Sequence, residues 1–389
     1  MRRSVSYDPR AVGVDHGVAA WARKHAILEE RADLKIILAN PRGFCAGVHM
    51  AIDVVDQVLD VFEGETVYVY HDIVHNTHVV DRFKSRGVVF VEDVGEIPEG
   101  SVVVFSAHGI SPAVRQQAEA RGLTAIDATC PLVTKVHSEA IRYSRKGYQI
   151  LLVGHKNHQE VIGTKGEAPD ATQVVESPAD IPHLTIHDQD KLIYLTQTTL
   201  STDDAAVIID ALKAAFPTIQ APPSDDICYA TTNRQHAVRQ LAPRADLVLV
   251  VGSTHSSNSV RLTEIAANAG TPGKLLEDAA GLDDSWLKKA DGSLIDTVLI
   301  TAGASAPEDL VADLCKTLVE RFGAKIEVAD VFEEDVEFGI PGTLKRALRG
   351  KGIAPADRRI RVHAPELTAD LYGAVPLTVS AGPVAETDT

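Results

Sequence analysis

Short runs of consecutive apolar residues alternate along the chain with stretches whose apolar positions recur every three or four residues. The first run, residues 34–39, leads into Asn40-Pro41-Arg42-Gly43-Phe44-Cys45, which is turn and loop chemistry. From residue 46 to 62 the side chains Val48, Ile52, Val55, Leu59 and Val61 fall at helical spacing. The same reading puts strands at 66–70, 101–105, 149–153, 191–195, 246–251 and 297–300. It puts helices at 112–121, 132–145, 203–216, 231–242, 259–269 and 307–322. Continuous apolar strands alternating with helices predict an α/β fold whose parallel sheets are covered by helices. Residues 1–33 lack this pattern and read as an N-terminal arm. The last fifty or so, punctuated by Gly, Pro and Ala, read as a partly irregular tail.

The pattern repeats three times. Cys45, Cys130 and Cys228 each lie in a loop just before a helix, and each helix leads to two strands that end in polar loops. The first polar loop, marked by His75, His158 and Asn258, lies 30, 28 and 30 residues beyond its cysteine. The second, marked by His108, Thr198 and Ser305, lies 63, 68 and 77 residues beyond it. Three α/β units follow, each with a small, mostly parallel sheet: 34–46 joined with 229–340, 47–130, and 131–228, with a tail at 341–389. Parallel sheets bind ligands at the carboxyl ends of their strands. A pseudo-threefold trefoil of such units brings three cysteines, six polar loops and several helix N-termini to one central place.

Composition narrows the function. Among 389 residues, 54 Asp and Glu against 38 Lys and Arg leave a formal charge of −16. Such a chain is poorly suited to neutralising nucleic-acid phosphates or to lying on anionic membranes, so neither partner is expected. No apolar run approaches the ~20 residues of a membrane-spanning helix. Met1-Arg2-Arg3-Ser4 is not followed by an apolar segment, so no signal peptide is read. Four cysteines in this length do not make a disulfide framework, and a reducing cytoplasm is the expected compartment.

Any one of the three repeated cysteines reads most simply as a small buried hydrophobe. Three at matched positions, with Asp127 and Asp226 nearby, read instead as converging thiolates. Their separations of 85 and 98 residues exclude a local zinc finger but leave open a Cys₃ zinc site or an iron–sulfur cluster. A cubane cluster held by three cysteines keeps one iron open for substrate. Cys315, inside an amphipathic stretch with Leu310, Val311, Leu314 and Leu318, reads as core. His75, His108 and His158, with Thr198, Ser256, Ser257, Asn258 and Ser305, form a polar set without Lys or Arg. Together with helix N-termini, such a set suits a phosphate or diphosphate. Helix capping by Ser201, Ser257 or Ser259 is the plainer alternative for the hydroxyls. Glu160 is the one acid of these loops suited to proton delivery, against the plainer reading of a helix-start glutamate.

These motifs resemble the 4-hydroxy-3-methylbut-2-enyl diphosphate reductase (LytB) family, the last enzymes of the non-mevalonate route to isoprenoids. The matching stretches are Ala39-Asn-Pro-Arg-Gly-Phe-Cys-Ala-Gly-Val48, His71-Asp-Ile-Val-His-Asn76, Phe105-Ser-Ala-His-Gly109 and Asp127-Ala-Thr-Cys-Pro-Leu-Val-Thr-Lys-Val-His137. They continue through residues 154–164, Thr196-Gln-Thr-Thr-Leu200, Asp226-Ile-Cys-Tyr-Ala-Thr-Thr-Asn-Arg-Gln235, residues 251–259 and Thr301-Ala-Gly-Ala-Ser-Ala-Pro307. The resemblance spans about residues 34–340. His49-Met50 departs from the family's usual acidic-then-basic pair.

The resemblance implies a trefoil around a [4Fe–4S] cluster, one per chain, on Cys45, Cys130 and Cys228, which oxidation degrades to a [3Fe–4S] form. It implies that His75, His108, Ser256, Ser257, Asn258 and Ser305 bind the diphosphate of an allylic substrate. His158, Thr198 and Glu160 would handle its hydroxyl and protons. The products would be isopentenyl and dimethylallyl diphosphate, and the electrons would come from a carrier such as ferredoxin or flavodoxin. A (de)hydratase using the open iron without net reduction and a cluster-based sensor are the alternative readings.

Overall fold

The structure, a computed structural model, describes residues 34–353, 359–361 and 377–381. The N-terminal arm expected at 1–33 lies outside the described residues. β1 (Lys35–Asn40) opens the described chain and α1 (Ala46–Val61) follows it. Next come β2 (Val67–Tyr70), α2 (Thr77–Ser85), β3 (Val89–Val91), β4 (Val102–Phe105), α3 (Pro112–Ala120) and β5 (Thr124–Asp127). These four strands, β2 to β5, form one parallel sheet in the order β3-β2-β4-β5.

α4 (Pro131–Arg145) leads to β6 (Gln149–Val153), α5 (Gln159–Glu167), β7 (Thr172–Val175) and β8 (Leu192–Thr196). Their parallel sheet has the order β7-β6-β8, and a parallel bridge from Ile193 to Gln220 extends it. After α6 (Thr202–Ala215) and α7 (Tyr229–Leu241) come β9 (Leu247–Val251), α8 (Ser257–Asn268), β10 (Gly273–Leu276) and β11 (Thr297–Ala302). They close back onto β1. With α9 (Glu308–Phe322) and β12 (Lys325–Asp330) they complete a sheet that runs β10-β9-β11-β1-β12-β15, where β15 is Leu377–Ala381. All three sheets are parallel throughout.

The connectivity repeats. In each sheet a central strand (β2, β6 or β9) is flanked by the next strand on one side and the one after on the other. The outer neighbour of that third strand is the segment that runs into a cysteine: β5 into Cys130, Gln220 into Cys228, and β1 into Cys45. The sheets are buried on both faces, which is why their strands are apolar without alternation. In β1, Ile36 and Leu38 face one core and Ile37 and Ala39 another, all essentially inaccessible to solvent.

The differences from the pattern-based reading lie at the margins. α2 and α5 are short helices whose few apolar residues fall below a periodicity search, although Asn76 and His158 cap them. β3, β5, β7 and β10 are edge or near-edge strands of three or four residues. The stretch after 341, which reads as irregular, contains α10 (Gly342–Gly350), with Leu344 and Leu348 buried on one side. Just before it, β13 (Glu337–Gly339) pairs antiparallel with β14 (Arg359–Arg361). Among the described residues no helix is long and apolar enough to cross a membrane.

Candidate active site

Cys45, Cys130 and Cys228 are each the N-cap residue of a helix, α1, α4 and α7. Each backbone N–H donates to a carbonyl two residues beyond the third strand of its sheet: Cys45 to Ala304 at 3.2 Å, Cys130 to Ala107 at 3.0 Å, Cys228 to Thr198 at 3.0 Å. Each cysteine carbonyl accepts from the residue four places on, at 2.9, 2.9 and 3.0 Å. None of the three thiols caps its own helix. They line one cavity instead.

Burial dominates the thiols' electrostatics. It pushes all three up, Cys228 to about 11, although backbone N–H groups at the helix starts and, for Cys45, the Arg234 guanidinium pull the other way. Arg234 is itself fully buried. It donates to the Gly43 carbonyl through Nε (3.1 Å) and Nη2 (2.8 Å), and its Nη1 lies 3.1 Å from Glu334 Oε1. It thereby fixes the loop that presents Cys45. Gly47 approaches the thiols closely: a Cβ there would lie 2.6 Å from Cys130 Sγ and 3.9 Å from Cys45 Sγ.

The polar loops surround the same cavity. His75 and His108 stack with ring centroids 3.9 Å apart, and His158 stands edge-on to both, at 5.4 and 6.0 Å. Burial lowers all three, His75 to about 4 and His158 to about 3, so each is a neutral imidazole near neutral pH. His158 Nδ1 accepts from the Glu160 N–H at 3.2 Å, which leaves the ring proton on Nε2. Glu160 is buried by 98% and accepts two hydrogen bonds from Thr198, from N–H at 2.6 Å and from Oγ1 at 2.9 Å. Burial outweighs those bonds and raises its carboxyl to about 7.

Asn258 Oδ1 accepts from the Ala304 N–H at 3.0 Å. Ser305 Oγ donates to the His75 carbonyl at 3.0 Å and lies 3.3 Å from Ser256 Oγ. Ser257 Oγ donates to the Thr199 carbonyl at 3.2 Å. The cap of α8 is Ser256, which accepts from the Ser259 N–H, so the plainer reading of Ser257 or Ser259 as that cap is corrected. Ser201 does cap α6.

The twelve candidate site residues all line this one cavity: Cys45, Cys130, Cys228, His75, His108, His158, Glu160, Thr198, Ser256, Ser257, Asn258 and Ser305. Its space, open mouth included, is about 680 Å³. Cys315 lies outside it, fully buried in the core around β11.

The match to known proteins agrees with this geometry. Residues 36–319 match the family model described as "LytB protein". The chain belongs to the LytB family. A 4-hydroxy-3-methylbut-2-enyl diphosphate reductase of Rhodopirellula baltica is 53% identical to it over 312 residues, 80% of this chain and 96% of that protein. One of Nocardia farcinica is 48% identical over 340 residues, 87% of this chain and 99% of that protein. The solved structure of the E-1-hydroxy-2-methyl-but-2-enyl-4-diphosphate reductase from Plasmodium falciparum superposes with a TM-score of 0.78 at 39% identity, covering 82% of this chain and 99% of that one.

Two further residues of this LytB cavity escaped the sequence reading. Thr231 Oγ1 lies 3.2 Å from Cys228 Sγ and accepts from Asn258 Nδ2 at 3.4 Å. The signal for it was its place three residues after a cysteine, on the first turn of a helix. Gly47, two residues after Cys45, carried only the general signal that glycine permits close approach.

Proposed function

We propose that this LytB chain carries out the reductive dehydroxylation of (E)-4-hydroxy-3-methylbut-2-enyl diphosphate to isopentenyl and dimethylallyl diphosphate, on a [4Fe–4S] cluster held by Cys45, Cys130 and Cys228. The observation that carries this reading is the convergence of three equivalent N-cap thiols on a cavity whose walls are neutral imidazoles and one raised carboxyl. The donor set fits such a group. Gly47 lets the backbone approach Cys130 Sγ where a Cβ would press on it, and His75 Nε2 and His108 Nδ1 are buried without partners at the cavity. Among the described residues no three His, Cys, Asp or Glu side chains are placed to hold a single metal ion. When bound, the cluster supplies an open Lewis-acidic iron and a path for two electrons.

The reaction consumes two electrons and two protons, and the allylic hydroxyl leaves as water. His75 and His108 donate N–H bonds to the diphosphate, joined by Ser256, Ser257, Asn258, Ser305 and the N-terminus of α8. Neutral imidazoles and hydroxyls bind the group without burying unpaired cations. Glu160, protonated below about pH 7, passes its proton through Thr198 Oγ1 to the departing oxygen. His158 offers Nε2–H to the same oxygen. The cytoplasm is the compartment we infer, and ferredoxin or flavodoxin the electron donor.

The test is anaerobic purification followed by absorption spectra before and after adding the allylic diphosphate and a reductant, with product analysis. A brown protein that responds to substrate and forms both five-carbon diphosphates is the expected result. A colourless protein with stoichiometric zinc, inert after cluster reconstitution, overturns the reading. Air exposure is expected to convert the cluster to a [3Fe–4S] form.

A further inference from the structure

α10 differs in charge from the rest of this acidic chain. Residues 342–352 include four basic side chains, Lys345, Arg346, Arg349 and Lys351, and no acidic one. Leu344 and Leu348 hold the helix against the core around α1, which leaves Arg346 and Arg349 exposed and Lys345 half-buried. Lys351 pairs with Glu65 at 3.0 Å. Among the described residues, Lys345, Arg346 and Arg349 form no ion pair.

The helix that carries this basic face is tied to the segment that leads into Cys130. Thr343 Oγ1 accepts from the Asp127 N–H at 3.0 Å, three residues ahead of Cys130. Arg346 follows Thr343 by three residues, about 5 Å along the axis. Another group of cations, Arg142, Arg145 and Lys146, ends α4, about 20 Å along that helix from Cys130. Arg82 and Arg86 are engaged by Asp56.

We propose that the exposed face of α10 docks the protein that delivers electrons, and that this partner is a small acidic one-electron carrier. The inference rests on the reductase reading. Two electrons must arrive from outside for each product formed, and the sequence contains no G-x-G-x-x-G dinucleotide motif. Each reduced carrier gives up one electron per encounter, so two encounters serve one turnover. A net charge of −16 repels an acidic carrier over most of the surface. A local basic face restores attraction and sets the docking orientation. An anionic membrane is the weaker occupant, because the leucines that would enter it are already committed to the core.

The test uses the full-length, cluster-loaded chain carrying Arg346→Glu and Arg349→Glu. Turnover is driven either by a reduced acidic [2Fe–2S] ferredoxin or by reduced methyl viologen. The KM for ferredoxin should rise about tenfold and lose much of its salt dependence. Viologen-driven kcat and the cluster spectrum should match the unsubstituted chain. Arg346→Lys with Arg349→Lys should restore the ferredoxin KM. An unchanged ferredoxin KM overturns the docking face, and so does an equal loss with both reductants. Arginine-dependent binding to phosphatidylserine vesicles with unaltered ferredoxin kinetics overturns it in favour of a membrane. Absence of viologen-driven turnover in the unsubstituted chain would instead sink the reductase reading beneath it.

Discussion

The three cysteine corners and the three first polar loops occupy equivalent places in the repeat, yet they behave oppositely. The corners are copies: the same N-cap position, the same N–H to a carbonyl two residues past the third strand, and the same accepting carbonyl. The loops share only their place before a helix. Asn76 caps α2 with a side-chain amide, His158 caps α5 with a ring nitrogen, and Ser256 caps α8 with a hydroxyl. A ligand with three equal attachment points is served by repetition. A ligand with a charged head and a reacting tail is not, so side chains diverge there while the backbone stays the same. His75 and His108 line one part of the cavity wall as a stacked pair, and Glu160 with Thr198 supplies the one acid.

The sharpest way to break the comparison is to substitute the corners one at a time. Cys45→Ser, Cys130→Ser and Cys228→Ser should each lose the visible absorption and leave less than about 1% of turnover. Cys315→Ser should keep both, at a stability cost of about 1–3 kcal/mol for a buried hydroxyl. Absorption and turnover both preserved in one of the first three variants would make that corner structural.

The next largest effect tests the divergent side. Glu160→Gln should retain the cluster spectrum and lower kcat by roughly 10²–10³. The sign of the pH effect follows from the carboxyl being raised to about 7. With the protonated form as the proposed donor, kcat should be flat below that value and fall about tenfold per pH unit above it. His75 and His158, held down near 4 and 3, stay neutral across this range and add no limb. A basic limb that persists in the Gln variant would assign it to another group.

The corners were legible in the sequence because cysteine is scarce and the repeat spacing is regular. The polar loops were legible for a weaker reason, namely their offset from the cysteines. What stayed hidden depends on three-dimensional approach. Nothing in the order of residues says that the Gly43 carbonyl meets Arg234, 191 residues away, or that Glu334 closes that contact. Edge strands such as β3 and β10 carry only three or four residues, too few for a period to register. α10 was masked by its glycines and by a single pair of core leucines.

A smaller effect tests where the corners themselves depart from symmetry. The residue two places after each cysteine is Gly47, Leu132 or Ala230. Only the first needs glycine, because a Cβ there would press on Cys130 Sγ. Gly47→Ala should weaken cluster retention by about 1–3 kcal/mol, read as faster bleaching under a chelator. Ala230→Gly should cost about 1 kcal/mol of helix stability and leave cluster retention unchanged.

The smallest effect separates capping from ligand binding in α8. Ser256 and Ser257 are neighbours on the cavity wall, but they do different work in the fold. Ser256 Oγ accepts from the Ser259 N–H and meets Ser305 Oγ, so its loss removes a cap and unsettles a second hydroxyl. Ser257 Oγ makes one bond, to the Thr199 carbonyl, and its backbone already belongs to the helix. Ser256→Ala should therefore lower stability by about 1 kcal/mol and raise the substrate KM. Ser257→Ala should leave the melting temperature nearly unchanged and raise KM by only about two- to fivefold, the worth of one neutral hydrogen bond. Equal melting temperatures with unequal KM values would show that capping is incidental at Ser256. Unequal melting temperatures with both KM values unchanged from the unsubstituted chain would remove both hydroxyls from the diphosphate site and leave that role to His75, His108, Asn258 and the helix N-terminus.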